Sequence, residues 1–226
     1  MTTTDDIRDI LILCTRRPGA DDAAFEAGLR TAAALCSGMG TELAAIMPAS
    51  TLPTLAHVSQ PDEALPDAIL TVRGDTQSIS AALSDMVGAL APHIYSARSS
   101  LLVTRRHAIL PGRDTIRLFF GIRRLERLTL AEFHDYWLNH HAELGRRLIP
   151  PYTYHQLHTD PVTTAAMAGT AGLPGSTLDG VVEVYFPDID AFVAQLSRPE
   201  VADEALADER NFIDHARSIF WAYRML

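Results

Sequence analysis

The chain has 226 residues, 47% of them hydrophobic, with a mean hydropathy of +0.05 and a formal net charge of −9. That length can bury one large core or two small ones. The acidic balance, with no clustered Lys/Arg face, argues against nucleic acid and anionic membrane as partners, since both are gripped by basic side chains.

The opening, MTTTDDIRDILILCTRRPG, carries acid where a secretory leader needs base, and its apolar run from Ile10 to Cys14 is far too short for a membrane span, so a cytoplasmic protein is expected. Residues 7 to 17 read as a buried strand and 21 to 36 as a helix opened by an acidic cap. A strand follows from Glu42 to Met47, then a Pro-bearing stretch, a strand from Ala68 to Val72, a helix from Thr76 to Leu90 and a strand from Tyr95 to Thr104. RRHAILPGRDT, basic and broken by Pro-Gly, reads as a linker over 107–115 between units 1–106 and 116–226. The pattern then returns: strand Ile116 to Arg123, helix Leu130 to Leu148, strand Tyr152 to His158. A small-residue segment from Thr159 to Thr177 reads as a long loop suited to a lid. Strand Gly180 to Phe186, a helical stretch from Ile189 to about Ile213 interrupted at Pro199, and strand Ser218 to Arg224 complete the chain.

Both halves therefore spell βαββαβ. Laid on each other, Arg16 and Arg17 fall on Arg123 and Arg124, Phe25 on Phe133 and Asp67 on Asp179. The expected fold is α+β: two ferredoxin-like repeats whose sheets cover each other, giving an α+β barrel within one chain. Cys14 and Cys36 sit in apolar surroundings without zinc-type spacing and read as core thiols.

The helix LTLAEFHDYWLNHHAELGRRL holds three of the nine histidines. With Phe133 as zero and about 100° per residue, Trp137, Leu144 and Leu148 form a narrow apolar stripe; His140 and His141 border it on opposite sides and His134 lies just outside. Phase alone does not choose among them. The matching helix of the first half has Ala32 and Ala33 where the second has His140 and His141, so packing does not require histidine there.

FHDYWLNHHAEL resembles the signature helix of the EthD family, with His141 on the family histidine and Glu143 where proline is usual. Tyr154-His155-Gln156-Leu157-His158, the Asp179 to Phe186 strand with its inner Glu183, and the closing Asp208 to Asp214 segment resemble three further family motifs in the right order. The match runs over 116 to 224, and the first half matches no motif. The resemblance implies a dimeric α/β barrel, here fused with a degenerate first repeat, and relatives that look like dehydratases or cyclases of polyketide-type aromatics.

Alternation along Gly180 to Phe186 puts Val182, Val184 and Phe186 toward the helices and Glu183 with Tyr185 into the barrel lumen, where desolvation would raise a carboxyl toward neutral pH. Tyr152, Tyr154, Gln156 and His158 share one face of their strand. Burying them against helices looks costly, so they too are expected in the lumen. The catalytic candidates are Glu183, His141, His158 and Tyr154; Tyr152, Gln156, Tyr185, Trp137 and Asp179 are candidates for binding the substrate.

The expected activity is that of a lyase or cyclase without a cofactor, acting on a small apolar or aromatic molecule. Glu183, with His158 or His141, would move the proton and Tyr154 would stabilise the oxygen that gains charge. The alternatives are a non-catalytic binder of a small hydrophobic ligand or a partner subunit, and a cofactorless monooxygenase of the same fold. No metal is expected, because only His134 and His141 lie a whole number of turns apart and no carboxylate joins them at ligand spacing. Some barrels of this kind carry haem, but no histidine stands out as an axial ligand. No GxGxxG, P-loop or GxSxG occurs. Pairing of the fused barrel into a homodimer stays open.

Overall fold

Among the described residues, apolar or alternating runs give eight strands: β1 (Ile7–Cys14), β2 (Gly40–Ile46), β3 (Ala68–Asp75), β4 (Ser100–Leu110), β5 (Ile116–Ile122), β6 (Thr153–Thr159), β7 (Gly180–Phe186) and β8 (Ile219–Met225). The computed structural model describes residues 7–36, 38–51 and 65–226; the acidic start and most of the Pro-bearing stretch lie outside the described residues. Every strand pairing is antiparallel, and the order β1-β3-β2-β8-β5-β7-β6-β4 closes into one barrel. Within it, β2-β3-β1-β4 and β6-β7-β5-β8 repeat one internal order, joined through β4·β6 and β2·β8. The two sheets meet edge to edge and curl around a shared lumen, which removes free edges altogether.

Helices pack on the outside. In the first half these are α1 (Asp22–Ala34) and α2 (Thr76–Leu90), capped by Asp21 and Asp75, whose side chains accept from Ala24 N–H and Ser78 N–H. In the second half α3 (Leu130–Tyr136) opens with a capping box between Thr129 and Glu132 and runs through a π turn, Trp137–His141, into α4 (Ala142–Leu148). Three cores result: one under α1 and α2, one under α3 and α4, and one in the lumen, where Leu11, Leu13, Ile69, Leu102, Phe119, Leu157 and Tyr223 meet.

Some expectations shift. Residues 107–110 continue β4 and pair with β6, so the expected linker begins inside a strand. The expected lid holds a helix, α5 (Pro161–Ala171), with Asp160 as N-cap, Pro161 in its first turn and Gly172 in the left-handed conformation (φ 63°) at its end. It packs on the first half: Met167, Ala168 and Ala171 join that core, and Thr164 Oγ1 accepts from Val103 N–H at 2.9 Å. The helical stretch after β7 divides into α6 (Ile189–Leu196), a π turn (Val201–Ala205) and α7 (Leu206–Glu209). No helix among the described residues is long and apolar enough to cross a membrane.

The local turn geometry also repeats between halves. Arg16 N–H donates to Asp67 Oδ2 (2.7 Å) and Arg124 N–H to Asp179 Oδ2 (2.9 Å), so Arg16 superposes on Arg124, one residue off the sequence alignment.

Candidate functional site

β7 turns Glu183 into the lumen, fully buried. The lumen around it is packed rather than open. Arg117 Nη1 approaches Glu183 Oε1 at 3.1 Å, Arg106 Nη2 approaches Oε2 at 3.2 Å, and Tyr185 hydroxyl donates to Oε2 at 3.2 Å. Arg106 also donates to Asp9 Oδ2 (2.7 Å) and to His155 Nδ1 (2.7 Å). Burial alone would raise the Glu183 carboxyl, but Arg117 and Arg106, with help from His155, outweigh it and hold Glu183 well below the usual carboxylate range. The expected upward shift is thereby reversed. A permanently charged, doubly ion-paired carboxylate is a poor proton acceptor and a strong tie between strands.

The polar row of β6 faces the other way. Register pairs His155 with Glu183 but Gln156 with Val182 and Tyr154 with Val184, so Tyr154, Gln156 and His158 lie on the helix side. Their burial is tolerable because each is partnered. Gln156 Nε2 donates to the Trp137 carbonyl (2.9 Å) and to the Tyr154 hydroxyl (2.8 Å), and its Oε1 meets His158 Nε2 at 3.1 Å. His158 is stacked on Trp137, with ring centroids 4.7 Å apart, and lies between His107 and His134, each at 4.4 Å. Burial, then the neighbouring His134 and His107, drives its imidazole down to about 2, leaving a neutral packing group. Tyr152 packs on Phe186, and Asp179 pairs with Arg124 at the end of β5.

Open space lies elsewhere, between the outer face of β6-β7-β5-β8 and the helices. A cavity of about 140 Å³ is walled by Leu118, Phe120, Val182, Val184 and Phe220 from the sheet and by Leu144, Leu148 and Leu206 from the helices. Its polar groups are His141, Tyr154, Glu209, His215 and Ser218. Of the catalytic residues expected from sequence, the structure brings His141 and Tyr154 to this cavity and leaves Glu183 and His158 outside it.

The π turn explains how His141 arrives. An extra residue in a turn retards the residues after it by up to one step of about 100°, which carries His141 inward from the edge of the stripe. His141 Nδ1 lies 2.7 Å from Asp208 Oδ2, while the Tyr136 hydroxyl donates to Asp208 Oδ1 at 2.7 Å. The carboxylate thus fixes the proton on Nδ1 and leaves Nε2 as the lone-pair nitrogen, with no protein partner among the described residues. Across the cavity Tyr154 is seated by Gly145, where a Cβ would fall 2.3 Å from the ring. Its hydroxyl accepts from Gln156, and burial pushes its ionisation far up, so the phenol keeps its proton for donation. A second imidazole, His215, meets Glu209 Oε2 through Nε2 at 2.8 Å and stacks on Phe120.

Asp208, Glu209, His215 and Tyr136 carry no role that sequence reasoning assigns. The Asp208 to Asp214 motif marks the first two; His215 lies shortly after Glu209 in the chain, but His141 meets Asp208 only in the folded protein. Among the described residues no group of three or more His, Cys, Asp or Glu is placed to hold a metal ion. Haem does not fit the cavity, because none of its lining residues is an Arg or Lys that could pair with the haem carboxylates.

The sequence has no significant match among curated proteins. Among solved structures, an anthrone oxidase-like protein superposes with a TM-score of 0.62 at 9% identity, over 97% of this chain and 91% of its own. Chlorite dismutase from Candidatus Nitrospira defluvii gives 0.55 at 10% identity, over 98% and 92%. A protein assigned as a monooxygenase, from Lactobacillus acidophilus, gives 0.53 at 9%, over 97% and 93%. At such identities these likenesses show the shared barrel fold. The EthD domain model matches residues 125–216, the span that contributes the helices, β6 and β7 around the cavity and both of its histidines.

Proposed function

We propose that the protein is an enzyme of proton-transfer chemistry, taking a small, neutral, largely aromatic ketone into the cavity of its second half. One observation carries this reading: the Asp208–His141 pair, 2.7 Å apart, presents an imidazole nitrogen to a largely apolar cavity. His141 removes a proton from carbon next to the carbonyl, and the Tyr154 hydroxyl donates to the oxygen that gains charge. Loss of a β-hydroxyl or ring closure from the resulting enolate gives lyase or cyclase chemistry.

The test isolates the first step. In D2O, wild-type protein is expected to accelerate exchange of the α-protons of α-tetralone, followed by NMR, with His141→Gln losing about 10²- to 10⁴-fold of that rate. Exchange no faster than in imidazole buffer, or unchanged in the variant, overturns the reading. Thermal stabilisation by the ketone without exchange would indicate a binding protein instead.

A second reading has a specific support, the likeness to proteins named as an anthrone oxidase-like protein and a monooxygenase. The same deprotonation would then be followed by reaction with dioxygen, and uptake of oxygen with anthrone, abolished by His141→Gln, would distinguish it.

A further inference from the structure

Two carboxylates that follow one another in sequence, Asp208 and Glu209, are set at the end of α7 and reach two different histidines. Asp208 holds His141, whose side chain is 10% exposed; Glu209 holds His215, which is 28% exposed. Both imidazoles line the one cavity, the first deep in its wall and the second nearer solvent. His215 lies in the turn before β8 and is held from both sides, by Phe120 against its ring and by Glu209 at its Nε2. Nδ1 is left without a protein partner among the described residues.

Packing gives no reason for this second pair. Phe120 and Phe220 already cover the sheet at this point, and a carboxylate–imidazole pair costs desolvation that an aliphatic side chain would not. A carboxylate beside an imidazole does, however, accept its N–H and orient the ring. Removal of water from a β-hydroxy ketone uses a base for the C–H bond and an acid for the departing hydroxyl, tasks that two imidazoles facing one substrate can divide.

We infer that His215, oriented by Glu209, is the general acid that protonates the leaving group at the mouth of the cavity, as the counterpart of His141. This role rests on the proton-transfer reading of the cavity. In the step, the α C–H bond breaks with its proton passing to His141 Nε2. The C–H electron pair forms the new C=C bond, the C–O bond breaks, and the His215 Nδ1 proton goes out with oxygen as water. His141 ends protonated and His215 neutral, and exchange with solvent, which His215 meets directly, restores both. Glu209 is a positioning residue.

The experiment uses two β-substituted ketones with the full chain. 4-(4-Nitrophenoxy)butan-2-one expels a phenoxide that needs no acid, whereas 4-hydroxy-4-phenylbutan-2-one expels hydroxide unless it is protonated. His215→Gln is expected to lose about 10²-fold or more in kcat on the hydroxy ketone and less than threefold on the nitrophenoxy ketone. His141→Gln is expected to lose activity on both. Circular dichroism and thermal melts confirm that each variant is folded, and Glu209→Gln, which keeps the shape at that site, should reproduce the leaving-group dependence in weaker form.

Equal loss on both ketones, or none on either, overturns the inference, as does a wild type that expels nitrophenoxide but never water. Failure of the wild type on both, with no α-proton exchange, overturns the base assignment itself and is thereby told apart. A merely structural role for His215 would move stability and both rates together, without regard to the leaving group.

Discussion

Against the β2-β3-β1-β4 sheet, α1 and α2 close a layer of Ile10, Ile12, Leu29, Leu70, Leu83 and Met86, and α5 adds Met167 and Ala168 at its edge. The second half sets its helices over β6-β7-β5-β8 in the same strand order, yet around a cavity. Three local features separate the layers. A π turn re-aims His141, Gly145 admits the Tyr154 ring, and α7 brings Asp208 and Glu209 alongside. The first half has Ala33 in its helix where the alignment sets His141, and aliphatic side chains fill its layer. One strand order thus serves as a filled support or as a walled pocket, depending on side-chain volume and irregular helical turns. The lumen between them obeys a third rule: Asp9 and Arg106 from the first half and Arg117, His155 and Glu183 from the second form one buried ionic cluster across the seam.

The largest expected effect comes from breaking that tie. Glu183→Gln leaves Arg117, fully buried, without its counter-charge and should cost about 3–5 kcal/mol in urea unfolding. The effect depends on pH with a defined sign. Glu183 ionises at about 2 in the folded protein against an ordinary 4.5, so its contribution is complete above about 4.5 and disappears as pH falls toward 2. Asp9, raised chiefly by its burial, acts in the opposite sense over part of the acid range, so the wild-type minus Glu183→Gln difference is the quantity to plot. A difference that stays flat from about pH 5 to about pH 2.5 would contradict the ionic picture.

Hollowing the filled layer comes next. Leu83→Ala, in the core under α2, should cost about 2–5 kcal/mol while leaving exchange of α-tetralone protons per folded molecule unchanged. If the truncation abolishes exchange at full folding, the two layers are coupled and the division of labour between them fails.

Sequence periodicity suffices for the strands because each needs only a run of apolar or alternating residues, and β5 to β8 fall within about two residues of their expected bounds. The face assigned to Glu183 comes from the same alternation. The pattern does not carry which side of β6 holds its polar row. Tyr154, Gln156 and His158 look too polar for a helix-facing surface, and only the Trp137 carbonyl at the π turn, with the hydrogen bonds linking the three side chains, removes the cost. For Glu183, desolvation is the one influence visible in sequence, because Arg106 and Arg117 reach it from strands whose register a single sequence does not print. His141 is visible as a family position but lies off-axis on a regular helical wheel, and Asp208, 67 residues further on, gives no local sign of being its partner. Asp160-Pro161 and Gly172 do mark both ends of α5; the many small residues between them read as loop because a helix on an already covered layer needs little apolar bulk.

The smallest change sharpens the comparison most directly. Val182, on β7, lines the cavity wall opposite α4, and Val182→Ile adds one methylene toward open space without altering β-branching. A methylene gained by burial is worth about 0.8 kcal/mol, so the variant should be slightly more stable than wild type in urea. Its affinity for α-tetralone should fall, because the added group occupies volume the ketone needs. The same enlargement at Val72 in the first half, where the layer is already filled, should instead destabilise by about 1–3 kcal/mol. Opposite signs at these two positions would mean that the second layer is held open at a cost in stability. Equal signs would mean that both layers are packed alike and that the cavity has no functional weight.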